Sequence, residues 1–91
     1  MKIKESYYKR SRPGHSPMKF ELKGKKAHVK KDPILKKHPK IERHMLKHER
    51  VEIKLRAKNV HPRKAHDIAR SKEHHSIRKL SLSQMWRKLE K

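Results

Sequence analysis

IERHMLKHERVEIKLRA, residues Ile41–Ala57, is the stretch around which the rest of the chain is placed. At helical periodicity, Arg43, Lys47, Arg50 and Lys54 share one narrow stripe. The opposite side carries Ile41, Met45, Val51 and Leu55, together with His44, His48 and Glu52. The first face offers only positive charge and suits a phosphate backbone. The second mixes apolar groups with side chains that ligate metals, and it poses a separate question.

Outward from this helix, the local signals are punctuation. Asp32-Pro33 is a helix start, with Asp as N-cap and Pro at the first helical position. A short turn runs to Lys37, and the main helix covers Pro39–Lys58. Asn59-Val60-His61 breaks it, and Pro62 opens a second helix expected to reach Leu80. That helix buries Ala65, Ala69, Ser76, Ile77 and Leu80, with His66 and Glu73 on the same side. Its small alanines allow close approach, and the short connection favours an antiparallel hairpin. Arg63, Lys64, Arg70, Lys72, Arg78 and Lys79 lie off the buried stripe or at its margin. Ser81-Leu82-Ser83-Gln84 has capping-box spacing. It opens a last short helix with Leu82, Met85, Trp86 and Leu89 on one face. Trp86, the only tryptophan, is expected to pack on the hairpin as its largest core side chain.

Residues 1–31 read as a basic extended arm. Lys2, Lys4, Lys9, Arg10, Arg12, Lys19, Lys23, Lys25, Lys26, Lys30 and Lys31 are spread along it, and Pro13-Gly14 and Ser16-Pro17 interrupt any helix. Tyr7, Tyr8 and Phe20 are interleaved, as in segments whose rings stack on unpaired bases. Met18–Leu22 alternates apolar and polar, Gly24 follows, and Ala27-His28-Val29 can oppose it. A short β-hairpin is therefore open to this arm, although an isolated hairpin is marginal.

Composition narrows the partner. The 91 residues include 29 Lys plus Arg against 9 Asp plus Glu, a net charge of +20. An acidic partner is expected to offset that self-repulsion, and nucleic acid fits a sequence pI near 10.7. A membrane is disfavoured, because no helix joins a wide bulky apolar face to the basic stripe. With 31% hydrophobic and 4% aromatic residues, one small helical core plus arms ordered by a partner is expected. The absence of cysteine excludes disulfides and Cys-ligated zinc fingers. MKIKESYYKR lacks the apolar segment of a secretory signal, so the cytoplasm or nucleoid is expected. Asn and Gln occur once each and Thr is absent, a scarcity of thermolabile amides that fits a thermophile.

Lysine outnumbers arginine by 20 to 9. Point-like ammonium groups suit backbone neutralisation better than bidentate base reading, so shape and backbone recognition without a sequence code is expected. The basic arm MKIKESYYKRSRPGHSPMKFELKGKK, the small helical body and the lack of a catalytic cleft signature resemble small ribosomal proteins. More narrowly, they resemble the lineage-specific ribosomal proteins of thermophilic archaea. The resemblance implies ribosomal RNA and neighbouring ribosomal proteins as partners, large-subunit membership, and arms that order against RNA.

His48-Glu49-Arg50-Val51-Glu52 is an HExxE. On a helix it sets His48 and Glu52 four apart on one side, as zinc or iron ligands stand, with Glu49 beside them as a base. Ala65-His66-Asp67-Ile68-Ala69 adds a third ligand from the facing helix, and Glu73 a fourth. The pattern resembles a reduced metallopeptidase core of small phage and archaeal proteins, HExxE followed by AHxxA on the next helix. The resemblance implies that His48, Glu52 and His66 bind metal and that Glu49 activates water. The sequence departs from the familiar zincin helix in carrying Glu52 where that helix has histidine. The same side chains also suit a buried, hydrogen-bonded or ion-paired cluster joining two helices, and that reading is preferred at this level.

The expectations are therefore these. The fold is mainly α: a small helical hairpin plus a short C-terminal helix in residues 32–91, with a long basic extended arm in residues 1–31. The function is that of a structural ribosomal protein without enzymatic activity, cytoplasmic and ribosome-associated. Lys9, Arg10, Arg12, Lys19, Lys23, Lys25, Lys26, Lys30, Lys31, Arg43, Lys47, Arg50, Lys54, Tyr7 and Tyr8 would contact RNA. No cofactor is expected, with a structural zinc at His48, Glu52, His66 and Glu73 left open. The alternatives are a small HExxE metal-binding protein, metallopeptidase-like or its relic, and a DNA-binding nucleoid protein. His15, His74 and His75 are expected in solvent or at RNA.

Overall fold

Alternation organises the N-terminal third. In Lys26–Lys31 (β3), Ala27, Val29 and Lys31 are buried while Lys26, His28 and Lys30 face outward. Met18–Lys23 (β2) alternates likewise, with Met18, Phe20 and Leu22 turned to the core. The two strands pair antiparallel across the loop Gly24-Lys25. Gly24 has φ 59°, which a two-residue hairpin loop requires at its first position and a side chain resists. The computed structural model describes residues 2–75, 77–78 and 80–91. It adds a third strand, Lys2–Tyr7 (β1), parallel to β3, so that the sheet runs β1-β3-β2.

The chain is thus a mixed α/β domain with a three-stranded sheet and three helices, not a mainly α body with an extended arm. The physical reason lies in β1. Of its inward positions only Ile3 is aliphatic; the others are Glu5 and Tyr7. Both are satisfied by buried Lys31, whose Nζ lies 3.1 Å from Glu5 Oε1 and 2.9 Å from Glu42 Oε1. That ammonium also sits 4.4 Å from the Tyr7 ring centroid. The Tyr7 hydroxyl donates to Glu42, and Arg50 Nη2 donates to Glu5 Oε2 at 3.0 Å. A strand held by inward ion pairs shows no apolar alternation.

Asp32 starts the body. Its Oδ1 accepts from the Ile34 amide at 3.0 Å, capping a 3₁₀ turn over Pro33–Lys37. Its Oδ2 accepts from the Arg12 amide at 2.7 Å and ties down the loop between β1 and β2. Helix α1 spans Pro39–Ala57 and lays Ile41, Met45, Leu46 and Ile53 into the core. Val51 and Leu55, expected on that face, are half-buried outside the core cluster, and Ile53 takes the central place with 0% exposure. The helix ends in a Schellman motif. Asn59 adopts φ 65°, its amide donates to Arg56 O at 3.0 Å, and the Val60 amide donates to Leu55 O at 3.1 Å.

Helix α2 covers Pro62–Ser71, well short of Leu80, and packs against α1 through buried Ala65 and Ala69. Beyond it the chain tightens into turns, with Ile77 N donating to His74 O at 3.0 Å. The bend brings Ile77, 2% exposed, into the same core as the sheet. Of the stripe expected here, Ser76 lies outside the described residues, as does Lys79 at its margin. Helix α3, Leu82–Leu89, opens on a complete Ser81–Gln84 capping box. It buries Met85, Trp86 and Leu89. Trp86 Nε1 donates to His15 O at 2.6 Å, and His38 Nε2 lies 2.6 Å from Leu89 O. Met18, Ala27 and Val29 share one core with Leu35, Ile53, Ile77, Met85, Trp86 and Leu89, so residues on both sides of position 31 build it together. No helix among the described residues is long and apolar enough to cross a membrane.

Candidate metal centre

The spacing of four on α1 aligns His48 with Glu52, and Ala65 and Ala69 let α2 approach closely enough to bring His66 opposite them. His66 Nδ1 lies 2.8 Å from Glu52 Oε1, and His48 Nε2 lies 3.8 Å from the same oxygen. One donor atom from each of His48, Glu52 and His66 falls within 4.8 Å of the others. Donors bound at about 2.0–2.1 Å with tetrahedral angles would stand about 3.3 Å apart. The observed separations bracket that value, so the three side chains fit a zinc-type ion with small rotations. Burial grades across the site. Glu52 and His48 side chains are 11% and 10% exposed, while His66 is 53% exposed and marks the open side.

Glu73 stands elsewhere than in a shared ligand set. Its Oε1 is 3.0 Å from His48 Nδ1, on the ring edge away from Glu52. A carboxylate there holds the imidazole with Nε2 directed to the cluster, as carboxylates do behind metal-bound histidines. The same contacts tie α1 to the turns beyond α2 (His48 with Glu73) and to α2 itself (His66 with Glu52).

The electrostatics are local and acidic within a strongly basic chain. Three of the nine acidic residues, Glu49, Glu52 and Glu73, gather here. Burial pushes the Glu49 carboxyl up to about 7; His48 opposes the rise, and the charges of Glu52 and Glu73 add to it. Burial also pushes Glu52 upward, but His48 and His66 outweigh it and hold the carboxyl below its usual range. Burial disfavours a charged His48, and the Glu52, Glu73 and Glu49 carboxylates overcome it, so its pKa is raised. The cluster opens on a cleft of about 390 Å³. His48, Glu49, His66, Arg70 and Glu73 line its polar side, and Met45, Ile77, Leu80 and Met85 its apolar side. Arg70 was not singled out by sequence as a cleft residue, although its spacing of four from His66 places both on one face of α2.

The residues expected at RNA are dispersed. Arg43, Lys47 and Lys54 form an exposed stripe on α1; Arg50 is exposed and paired with Glu5. Lys9, Arg10 and Arg12 are exposed in the β1–β2 loop, with the Arg12 guanidinium 4.9 Å from the Tyr8 ring centroid. Tyr7 is held between Lys31 and Lys36, at 4.4 and 4.6 Å. Lys31 is buried, with its ammonium between the carboxylates of Glu5 and Glu42. Lys19, Lys23, Lys26 and Lys30 occupy the outer sheet face, and Lys25 the hairpin turn. The His74 ring stacks on His44 at 4.0 Å and tilts against His75 at 4.1 Å. No known protein family, curated protein or solved structure matches this chain.

Proposed function

We propose that this chain is a small metal-dependent protein of metallopeptidase-like type, with His48, Glu52 and His66 as ligands and Glu49 as general base. The observation that carries the reading is the convergence of three donor atoms within 4.8 Å beside a cleft that Glu49 also lines. Catalytic zinc sites use three protein ligands and leave a position open, whereas structural sites are closed and usually rich in cysteine. This chain has no cysteine, and its third ligand, His66, is exposed. A bound divalent ion would supply a Lewis acid and a lowered pKa for water. Glu73 orients His48 through Nδ1. Glu49 accepts a proton at its carboxylate from a nucleophilic water in the cleft. Arg70 offers a cation at the rim for an anionic or developing negative group of the substrate.

Chelated protein titrated with Zn²⁺ and followed by calorimetry and native mass spectrometry is expected to take one ion per chain. His66→Ala, at an exposed position, should keep the fold and lose that ion. Glu49→Gln should retain the ion and lose cleavage of a fluorogenic peptide. Equal zinc binding by wild type and His66→Ala would overturn the metal centre, and equal cleavage by Glu49→Gln would overturn its catalytic role.

A second reading is an RNA-binding protein of ribosomal type, seated against ribosomal RNA and neighbouring ribosomal proteins in the cytoplasm. The net charge of +20 and the exposed cations of α1 favour it. It is compatible with the first, since a metal-binding hairpin and a polyanion surface occupy different parts of one fold.

A further inference from the structure

The sheet turns one face to α1 and leaves the other uncovered. Its register arranges the outward side chains of three strands in three rows. Lys2, Lys26 and Lys23 form the first; Lys4, His28 and Glu21 the second; Ser6, Lys30 and Lys19 the third. Lys2, Lys4, Lys19, Lys23 and Lys26 are exposed, and Lys30 is half-buried. Neighbouring strands are about 4.8 Å apart and same-face residues about 6.8 Å apart along a strand. Six ammonium groups and a single carboxylate, Glu21, therefore share a patch of about 10 by 14 Å. Like charges so close repel one another in the free protein, and a polyanion relieves that repulsion.

We propose that this outer sheet face is a docking surface for the phosphate backbone of duplex RNA. The proposal rests on the RNA-binding reading and is independent of the metal centre. Charge complementarity points to the polyanion. Among the described residues the face has no Phe, Tyr or Trp ring to stack on a base and no guanidinium to fork onto one, and its one imidazole is held by Ser6, so it suits backbone contact. Within these rows stand the polar groups Ser6 and His28, with Ser6 Oγ 2.7 Å from His28 Nε2. A hydroxyl and an imidazole amid the cations complement the 2′-hydroxyls that RNA presents beside its phosphates and DNA lacks. The β2–β3 hairpin gathers Lys19, Lys23, Lys26 and Lys30, and the parallel β1–β3 pairing adds Lys2 and Lys4.

The test uses the full chain, a mixed-sequence RNA duplex and its DNA counterpart, titrated over a range of salt. One variant carries Lys4→Gln, Lys19→Gln, Lys23→Gln and Lys26→Gln. A control with the same charge change carries Lys58→Gln, Lys64→Gln, Lys72→Gln and Lys91→Gln, exposed positions outside the sheet face and the basic stripe of α1. Circular dichroism checks that both keep the wild-type fold. Each phosphate contact contributes about 0.9 to the log–log salt slope. The sheet variant should lose about three to four units of slope, the control less than about one. Wild type should bind RNA more tightly than DNA at equal salt. Equal losses in both variants would overturn the sheet face as the docking surface. Tighter DNA binding would overturn RNA as its occupant. No binding of either duplex by wild type would overturn the RNA-binding reading itself.

Discussion

Lys31 is the cation on which β1 is hung. Burial pushes its ammonium toward neutrality, yet Glu42 and Glu5 outweigh it and raise its pKa above the ordinary 10.5. Burial likewise pushes Glu5 upward, while Lys31 and Arg50 hold it below its ordinary 4.5. The signs set a pH window. The lysine's contribution is complete below 10.5 and is lost as pH rises through its higher folded value. The Glu5 contribution is complete above 4.5 and is lost as pH falls through its lower folded value. Lys31→Met should leave two carboxylates facing an apolar stem and cost about 2 kcal/mol in urea unfolding at neutral pH. The variant's acid and alkaline stability limits should flatten together. An unchanged urea midpoint would show that Lys31 does not hold the strand. This residue was legible only as one more basic side chain, because its carboxylate partners lie 26 and 11 positions away in sequence.

Among the elements, α1 is contacted by the sheet, the 3₁₀ turn and α2, and Ile53 is its fully buried point. Ile53→Ala should cost about 2–5 kcal/mol through lost burial and the cavity left behind. If sheet and helices form one cooperative unit, hydrogen exchange in β3 and α1 should accelerate together in that variant. Faster exchange confined to α1 would mean the sheet stands alone. The helix boundaries carried local signals: Asp32, Pro62 and the Ser81–Gln84 capping box each act within a few residues. Helix α2 ends at Ser71, and periodicity predicts Leu80 instead because nothing local marks that end. The bend there serves Ile77, whose place in the core is a long-range matter. The HExxE spacing was legible in the same way, since four residues on a helix guarantee a shared side. The position of Glu73 behind His48 was not, since it depends on that bend.

At the scale of the molecule, the radius of gyration is 12.9 Å, close to the roughly 13 Å of a folded 100-residue domain and far from the ~30 Å of an open chain. The extents of 38 × 28 × 20 Å make the molecule comparable in size to a Debye length of about 30 Å at 0.01 M salt. Its 29 basic groups then repel across the whole molecule. Raising salt to about 0.15 M shortens the screening length to about 8 Å. The melting temperature of the free chain should rise over that range in calorimetry. On the ribosomal reading, the chain should co-sediment with ribosomal fractions of a lysate at low salt and leave them over the same range. A falling melting temperature would mean that local ion pairs outweigh the global repulsion, and a chain found mainly in ribosome-free fractions at moderate salt would count against the ribosomal reading.

What the amino-acid order determined alone was short-range: where helices begin, which residues four apart share a side, and how much positive charge must be balanced. Each follows from backbone geometry or from summation, neither of which needs a partner distant in sequence. The parallel pairing of β1 with β3, the joining of Lys2 and Lys4 to the other outward lysines, and the place of Glu73 behind His48 were decided by tertiary structure. They depend on contacts between segments distant in sequence, and in β1 charged partners such as Lys31 and Glu5 replace the apolar pattern that would have announced the strand.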